Sequence, residues 1–468
     1  MNQRREYDLC VVGAGSAGYA AATTARSLGR SVVIAESRAP LGGLCILRGC
    51  MPSKTLLSSA EVAHMVDRAS EFGIVAGPAR VDFPALMARK RRIIDEFADY
   101  RVDGIETFAL VRGDVKFTGP KTLSVDGEEI GAAKFIVATG SVTHVPSIPG
   151  LEAAGYVTSD EVLELDRLPE SVIVLGGGAV ACELAQYLRR LGCQVTMLQR
   201  SRTLLSREDG DIGATLRNAL ESEGMNIATG TLLESVEITR SGKKVWYEVD
   251  GRRESAEGGE IFVALGRRAN TGGLGLEAAQ VEYESGGIKV DAHLQTSNPI
   301  IYAAGDVIFD STQLVHVAVN EGQTAARNAL SDEGLTIDYD LYGARAVFTD
   351  PQVAVAGLSE AECTRRGADF VSASFPFDDL GKAIAIGATK GFIKMLAAPD
   401  GTILGVGIIG AEASDLIHEA IALLHFKANV RDVMQMPHLH PTLAEIFTYP
   451  AETLCERLEH ERHVLVRP

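Results

Sequence analysis

The hydrophobic positions of the chain fall into short apolar runs separated by stretches of helical period, which predicts alternating strands and helices. The first apolar run, residues 7–12, leads into the glycine-rich segment 13–18 and an alanine-rich helix over 19–28. A second strand follows over 31–35 and stops at Glu36. Strand, glycine turn, helix and strand in this order predict a βαβ nucleotide-binding unit.

Three glycines and one carboxylate carry the chemistry of this unit. Gly13, Gly15 and Gly18 allow a tight turn, close approach of a pyrophosphate and packing of the helix on the strand. The N-terminus of the helix offers unpaired N–H groups to phosphates. Glu36, at the end of the second strand, is placed to bind ribose hydroxyls.

The same pattern recurs in the middle of the chain. A strand over 171–175, a glycine-led turn over 176–181, a helix over 182–191 and a strand over 194–198 repeat the order of the first unit. The interval from the first turn glycine to the residue after the second strand is 23 positions in both units. The sequence therefore predicts two nucleotide-binding folds in equivalent register.

The two units differ at the residue that ends the second strand. Glu36 occupies this position in the first unit, whereas Gln199 occupies it in the second and is followed by Arg200 and Arg202. Loss of the carboxylate removes its repulsion of a 2′-phosphate, and arginine pairs well with phosphate. This favours NADPH over NADH at the second site; the alternative is that both arginines are ordinary solvated charges.

Outside the two units, the pattern predicts further strands and a differently built C-terminal part from about residue 341. The strands are predicted over 135–141, 260–265 and 300–306, and in the C-terminal part over 345–355, 370–377, 391–397 and 403–409. A Pro-Asp-Gly turn at 399–401 predicts a hairpin between the last two. Apolar residues at helical spacing over 416–424 predict an amphipathic helix that serves the core or a dimer contact.

Composition limits the partners and the setting of the protein. The chain has 468 residues, which at about 150 residues per domain suggests roughly three domains. The net charge of −17 argues against nucleic acid or an anionic membrane as partner. No apolar run long enough to span a membrane and no secretory signal are found, and the seven cysteines lack framework spacing, so we expect a cytoplasmic protein.

A short stretch with two cysteines is the strongest chemical signal. Cys45 and Cys50 are separated by four residues in a glycine-flanked segment, predicted as a turn that runs into a helix after Pro52. A dithiol close to a nucleotide site indicates electron transfer from a cofactor to sulfur. Two unrelated core cysteines are the alternative, and zinc is disfavoured because no second ligand pair at metal spacing accompanies them.

A second candidate site lies near the C-terminus. His438, His440 and Glu445 stand close together in the sequence around a Pro-Thr pair. They are compatible with a metal site, which would lack a third strong ligand, or with a histidine acid/base oriented by a carboxylate. A structural histidine is the third interpretation.

The cysteine pair, the two nucleotide folds, the Gly305-Asp306 strand end and the terminal His-Pro-Thr segment together resemble the pyridine nucleotide–disulfide oxidoreductases. The resemblance covers essentially the whole chain in the expected order. It implies an α/β protein with two Rossmann-like domains, for FAD and NAD(P), and an α+β interface domain that makes a homodimer. The implied boundaries are 1–149 and 276–340 for the FAD domain, 150–275 for the NAD(P) domain and 341–468 for the interface domain.

The resemblance also implies which residues contact the cofactors. For FAD these are Gly13, Gly15, Gly18, Glu36, Thr139, Gly140, Gly305 and Asp306, and for NAD(P) they are Gly176, Gly178, Gln199, Arg200 and Gly266. Lys54 and Glu183 match a lysine–glutamate pair beside the flavin ring. No resident metal is implied.

The implied chemistry assigns separate tasks to the two thiols. Cys45 looks like the interchange thiol that attacks the substrate, and Cys50 like the thiol that faces the flavin. The partner subunit's His440 would act as acid/base, oriented by Glu445. The implied substrate is a small disulfide or dithiol, including a lipoyl group.

The cysteine segment departs from the usual Gly-Gly-Thr-Cys-x-Asn-x-Gly-Cys pattern of the family. Leu44 replaces threonine, Leu47 replaces asparagine, and Arg48 replaces a small apolar residue. A cation inside the loop would stabilise a thiolate or attract an anionic substrate; the alternative is a side chain that only faces solvent. If Arg48→Leu changes neither the thiol pKa nor turnover, the first interpretation is refuted.

Several members of the family remain open as the functional type. The His-Pro-Thr-Leu-x-Glu segment looks most like dihydrolipoamide dehydrogenase, whereas Gln199 and Arg200 fit its usual NAD poorly. Mercuric reductases usually carry a C-terminal vicinal cysteine pair and lack this histidine, whereas here Cys455 stands alone and His440 is present. A glutathione-type reductase, a flavin-based redox sensor and an NAD(P)H oxidase also stay open as functional types.

Overall fold

The computed structural model of the chain describes residues 6–465, and residues 6–460 with their side chains. The strands of the described residues are, in chain order, β1 Glu6–Val12, β2 Val32–Glu36, β3 Ala109–Arg112, β4 Val115–Gly119, β5 Thr122–Val125, β6 Glu128–Val137, β7 Ser141–Thr143, β8 Ser171–Leu175, β9 Gln194–Gln199, β10 Asn226–Thr229, β11 Thr231–Ile238, β12 Lys243–Val249, β13 Arg252–Gly258, β14 Glu260–Val263, β15 Arg267–Ala269, β16 Tyr283–Glu284, β17 Gly287–Ile288, β18 Ile301–Ala303, β19 Arg345–Val347, β20 Gln352–Gly357, β21 Val371–Pro376, β22 Phe392–Ala397 and β23 Ile403–Gly410.

The helices of the same residues are α1 Ser16–Ser27, α2 Gly43–Arg48, α3 Cys50–Asp67, α4 Phe83–Glu106, α5 Leu151–Ala154, α6 Ser159–Val162, α7 Ala179–Arg190, α8 Gly210–Ser222, α9 Val315–Ser331, α10 Tyr339–Tyr342, α11 Glu360–Arg366, α12 Gly381–Ala385, α13 Ala413–His425, α14 Val430–Gln435 and α15 Thr448–Leu465. Short 3-10 helices lie at Ala69–Phe72, Phe377–Asp379 and Leu443–Phe447. Within the described residues, no helix combines the length and the apolar character needed to cross a bilayer.

The chain forms two compact units, each assembled from separate segments. Unit 1 contains the described residues up to Leu56 together with Pro84–Val145 and Leu265–Tyr342. Unit 2 contains Leu57–Phe83, Pro146–Ala264 and the described residues from Gly343 onward. The finer domain boundaries expected from the sequence stay predictions.

Unit 1 is built on a seven-stranded sheet whose centre is the first nucleotide-binding unit. Its parallel part runs in the order β3-β2-β1-β6, and β18 also pairs in parallel with the end of β6. The first residues of β6 pair with β5 in antiparallel fashion, and β5 pairs with β4. The long β6 therefore joins the parallel nucleotide sheet to an antiparallel hairpin.

Helix α1 packs against α9 at unusually short range. A Cβ at Gly322 of α9 would lie 2.1 Å from the carbonyl oxygen of Ala17 in α1. Ala17, Ala21 and Ala25 of α1 are all buried. The alanine-rich composition of α1 is explained by this backbone-to-backbone approach, since larger side chains would hold the helices apart.

Unit 2 contains the second nucleotide-binding unit in the predicted register. Four parallel strands follow the order β10-β9-β8-β14, and α7 connects β8 to β9. Strands β11, β12 and β13 form a separate antiparallel sheet. The prediction of a repeated βαβ fold is confirmed, with α7 beginning at Ala179, three residues earlier than predicted.

The C-terminal part of unit 2 is a five-stranded antiparallel sheet in the order β19-β20-β23-β22-β21. The predicted hairpin and the amphipathic helix, now α13, are present. The single strand predicted over 345–355 is wrong, because the structure places two antiparallel strands there, with Arg345 opposite Val355. Pro351 precedes β20 and cannot donate a ladder hydrogen bond, which explains the break.

Candidate active site

The first glycine turn has the shape that a dinucleotide pyrophosphate requires. Gly13 has a φ of +101°, and a Cβ at Gly18 would lie 1.8 Å from the carbonyl oxygen of Gly13. By contrast, apart from its two chain neighbours, none of the described residues comes within 4 Å of a Cβ placed at Gly15, which precedes α1. The turn is thus closed where helix meets strand and open at the N-terminus of the helix, so it fits the phosphates of FAD.

Glu36 lies beside this turn, as the sequence predicts. Its Oε2 accepts the N–H of Ala14 at 2.6 Å, and its Oε1 accepts the N–H of Ser37 at 2.7 Å. These bonds place the carboxylate at the carboxyl end of β2, next to the glycine turn. A role in ribose binding stays a prediction.

The cysteine segment contacts the glycine turn directly. A Cβ at Gly43, the first residue of α2, would lie 2.9 Å from the Cα of Gly15. Gly43 has a φ of +79°, so a side chain there would be strained as well as crowded. The helix that carries Cys45 therefore begins against the phosphate-binding turn.

The turn predicted around the cysteines is wrong in detail. Cys45 lies within the helix α2, and Cys50 is the first residue of α3. Gly49 separates the helices, and a Cβ there would lie 3.0 Å from the carbonyl oxygen of Leu44. Pro52 lies in the first turn of α3, where the missing N–H is tolerated, so it does not delay the start of the helix.

The two thiols interact with each other. A hydrogen bond with Cys50, together with burial and the charge of Cys50, raises the pKa of the Cys45 thiol well above its ordinary value. The guanidinium of Arg101 acts in the opposite direction. Because the two thiols interact, their proton losses belong to the pair rather than to either sulfur alone.

The residues predicted around the flavin chain form one hydrogen-bonded group. Thr139 donates its hydroxyl to the carbonyl oxygen of Asn270 at 2.8 Å, and the N–H of Asn270 donates to the carbonyl oxygen of Gly140 at 2.9 Å. The hydroxyl of Ser141 donates to Oδ2 of Asp306 at 2.6 Å. Thr139, Gly140 and Asp306 all belong to unit 1.

Sequence reasoning missed two residues of this group, Ser141 and Arg267. The Ser141 hydroxyl that donates to Asp306 accepts a hydrogen bond from Nε of Arg267 at 2.8 Å. Arg267 follows Gly266, a predicted NAD(P) contact that has a φ of +100° and belongs to unit 1. The pairing of β7 with β15 brings Ser141 and Arg267 together, a contact that no local motif announces.

The second glycine turn in unit 2 is also shaped for a nucleotide. Gly176 has a φ of +118°, and no atom lies within 4 Å of a Cβ at Gly178. Gln199 is buried, and its Nε2 donates to the carbonyl oxygen of Thr203 at 3.4 Å. Arg200, directly after it, is exposed.

The C-terminal histidines each pair with a carboxylate. Nδ1 of His440 lies 2.9 Å from Oε1 of Glu445, and its side chain is 80% exposed. The N–H of Thr442 and then His440 lower the pKa of Glu445. Nε2 of His438 lies 2.9 Å from Glu419, a partner on α13 that the sequence did not identify.

Lys54 and Glu183 fall in different units. Lys54 lies on α3 in unit 1, and Glu183 lies on α7 in unit 2. The side chain of Glu183 is buried, and its Oε1 accepts the N–H of Phe348 at 2.9 Å. The lysine–glutamate pair beside the flavin stays a prediction.

One histidine–carboxylate cluster among the described residues has the spacing of metal ligands. The ligand atoms of His64, Glu223 and Asp350 lie within 4.8 Å of one another. Arg190 pairs with both carboxylates, at 2.7 Å to Glu223 and 2.6 Å to Asp350. The guanidinium already supplies the positive charge at this place, so we assign no metal to it.

Comparison with known proteins identifies the class. Residues 7–322 match the pyridine nucleotide-disulphide oxidoreductase family, and residues 344–451 match its dimerisation domain. The chain therefore belongs to this family of FAD-dependent enzymes, which use NAD(P)H as electron donor.

The individual relatives differ from one another in function. The chain is 36% identical to a dihydrolipoyl dehydrogenase of Thermus scotoductus, over 97% of this chain and 99% of the relative. It is 35% identical to a mercuric reductase of Lysinibacillus sphaericus, over 94% of this chain and 81% of the relative. The HOCl-induced flavoprotein disulfide reductase RclA from Escherichia coli has the same fold, with a TM-score of 0.83 and 24% identity over 95% of this chain and 99% of that one.

Proposed function

We propose that this protein reduces a small disulfide with NAD(P)H, or runs the same reaction backwards on a dithiol, through Cys45 and Cys50. The observation that carries the proposal is the interaction of the Cys45 and Cys50 thiols, with Cys45 on a helix that begins against the phosphate-binding turn. Neither a nucleotide-binding subunit nor an oxidase that passes electrons to oxygen needs a coupled dithiol at this place.

The chemistry balances with the residues of the chain. NAD(P)H, one proton and the substrate disulfide give NAD(P)⁺ and two thiols. FAD, when bound, supplies the two-electron carrier between nicotinamide and sulfur. The Cys45 thiolate attacks one substrate sulfur and releases the first thiol; Cys50 then attacks Cys45, releases the second thiol and leaves the Cys45–Cys50 disulfide.

The proton transfers need a base, because the pKa of the Cys45 thiol is raised and the species that attacks the substrate is its thiolate. We assign this role to the partner subunit's His440, oriented by the carboxylate of Glu445. The dimerisation domain over residues 344–451 supports a homodimer in which each subunit supplies this histidine to the other. We place the enzyme in the cytoplasm, because the seven cysteines lack disulfide-framework spacing.

Metal-ion reduction is the second candidate function. It is favoured by the relatives named mercuric reductase, and it would use the same dithiol as the electron source. The His440–Glu445 pair favours the disulfide reaction instead.

Anaerobic titration of the yellow holoenzyme with NADPH tests the proposal. We expect a long-wavelength absorption band from the Cys50 thiolate next to oxidised flavin after two electrons per subunit. Lipoamide, glutathione disulfide and mercuric ion are then added separately to identify the acceptor that removes the band. Bleaching of the flavin without the band would contradict a dithiol in the electron path.

The same titration, repeated with NADH, measures the coenzyme preference. We infer that NADPH is preferred, because buried Gln199 replaces the ribose-binding carboxylate and exposed Arg200 follows it. Arg200→Ala should raise the KM for NADPH by about tenfold and leave the KM for NADH unchanged, since a charge-assisted hydrogen bond contributes ~1.5–3 kcal/mol. Equal changes in the KM for both coenzymes would contradict a contact between Arg200 and the 2′-phosphate and would make Arg200 an ordinary solvated charge.

A further inference from the structure

Glu321, on α9, places a buried carboxylate against the turn that carries Asp306. The residue is only 1% exposed. Its Oε2 accepts the N–H of Gly305 at 2.6 Å, and its Oε1 accepts the hydroxyl of Tyr339 at 2.9 Å. Glu321 thus connects α9 and α10 to the Gly305–Asp306 turn within unit 1.

The backbone at this turn leaves little room for another arrangement. Gly305 has a φ of +80°, and a Cβ there would lie 3.2 Å from the Cβ of Ala17 in α1. The N–H of Gly305 points at the Glu321 carboxylate, so this carboxylate fixes the orientation of the peptide between Ala304 and Gly305, one residue before Asp306. Removing the acceptor would leave a buried N–H without a partner.

Among the described residues, the titratable groups that act on Glu321 are Asp306, from the turn after β18, and Tyr339, from α10. Helix α1 meets the same place with the uncharged Ala17. Burial raises the pKa of Glu321 to about 7; the Gly305 N–H and the Tyr339 hydroxyl oppose this shift, and the charge of Asp306 adds to it. Glu321 therefore exchanges its proton near neutral pH, unlike an exposed glutamate.

Protonation changes the charge at this place without breaking the contact to the turn. Oε2 is held by an N–H group, which can only donate, whereas Oε1 faces a hydroxyl, which can donate or accept. A proton on Oε1 is therefore satisfied by the Tyr339 oxygen, while Gly305 keeps its bond to Oε2. The turn is held in both states, and only the negative charge near Asp306 differs.

We propose that Glu321 is a positioning residue for FAD whose protonation is linked to FAD binding. This inference rests on the proposed function, in which Asp306 meets the ribityl–phosphate part of FAD. FAD brings a negatively charged pyrophosphate to a region that already contains Asp306. Loss of the charge on Glu321 reduces the repulsion, so FAD binding takes up a proton, and FAD is held less tightly as Glu321 ionises.

The test measures FAD release from the holoenzyme rather than turnover. Free FAD fluoresces, so the dissociation constant is obtained by diluting the purified holoenzyme at a series of pH values from 5.5 to 8.5. For the unaltered chain we expect the constant to rise about tenfold across neutral pH, which corresponds to a pKa change of one unit on binding.

Two variants and a control decide the outcome. Glu321→Gln keeps an oxygen acceptor for Gly305 and should reduce the pH dependence to less than about twofold, by the same linkage. Tyr339→Phe removes a donor that favours the carboxylate and should move the inflection to higher pH. Glu412→Gln alters another carboxyl whose pKa burial raises, in unit 2, and should leave the dependence unchanged.

Other results would contradict either the linkage or the proposed function, and the two can be distinguished. If FAD binding to Glu321→Gln has the same pH dependence as in the unaltered chain, the linkage is contradicted. The same holds if the affinity for FAD is weakened equally at every pH, and Glu321 would then have only a structural role. If Glu321→Gln does not fold, an unmoved inflection in Tyr339→Phe overturns the linkage equally. A chain purified without any FAD would instead contradict the proposed function.

Discussion

Replacing Cys45 with serine should reduce NADPH-dependent disulfide turnover by on the order of 10³-fold or more, because a serine hydroxyl cannot form the mixed disulfide. The reduction of FAD by NADPH should persist, since it does not use Cys45.

The measurement compares steady-state disulfide reduction with the anaerobic rate of flavin reduction in the same preparation. Cys455→Ser is the matched control, because Cys455 is a partly buried thiol on α15 that packs against the hydrophobic core of the C-terminal sheet. It should retain full turnover. A Cys45→Ser enzyme within tenfold of the unaltered rate would mean that the substrate is reduced elsewhere.

Replacing His440 with alanine should lower turnover by roughly 10²–10⁴-fold, the usual contribution of a general acid/base. The loss should be seen in the step after dithiol formation, so the two-electron reduction of the enzyme by NADPH remains fast. His425→Ala is the control, because His425 is exposed at the end of α13 in the same unit. Equal loss in both variants would show that the effect is structural.

Glu445→Gln should give a smaller loss than His440→Ala and a changed pH profile. The pKa of Glu445 is lowered by the Thr442 N–H and by His440, so its carboxylate is ionised at neutral pH and loses its charge only as the pH falls through that lowered value. The charge that orients His440 is therefore present across the neutral range and is lost only in acid. In Glu445→Gln, the fall in turnover that accompanies protonation of Glu445 should disappear, and an unchanged acid side of the profile would contradict the orienting role.

The nucleotide-binding parts were predictable because their signals are local. The glycine turn after β1 and the repeat after β8 each follow one apolar strand, and both appear in the predicted register. The strand predicted over 135–141 was less accurate, since β6 ends at Val137 and a separate strand begins at Ser141. The ends of short strands and helices next to small residues are the boundaries that a local sequence pattern predicts least precisely.

The cysteine segment shows a different limit of sequence reasoning. Its glycines suggested a turn, yet residues 43–48 are mostly good helix formers, and only Gly49 interrupts the helical path. The supporting carboxylates were missed for another reason. Glu321 and Glu419 act on residues 16 and 19 positions away, through contacts that only the folded chain creates.

The close contact between α1 and α9 has a consequence for synthesis on the ribosome. Unit 1 needs α1, from the beginning of the chain, and α9 and β18, from beyond residue 300, whereas residues 146–264 belong to unit 2. At about 5–20 residues per second, roughly 15–60 s separate the emergence of these segments. During that interval the alanine face of α1 has no helix to cover it, and unit 1 cannot be completed until the last third of the chain has been synthesised. The incomplete unit is meanwhile exposed to chaperones and proteases.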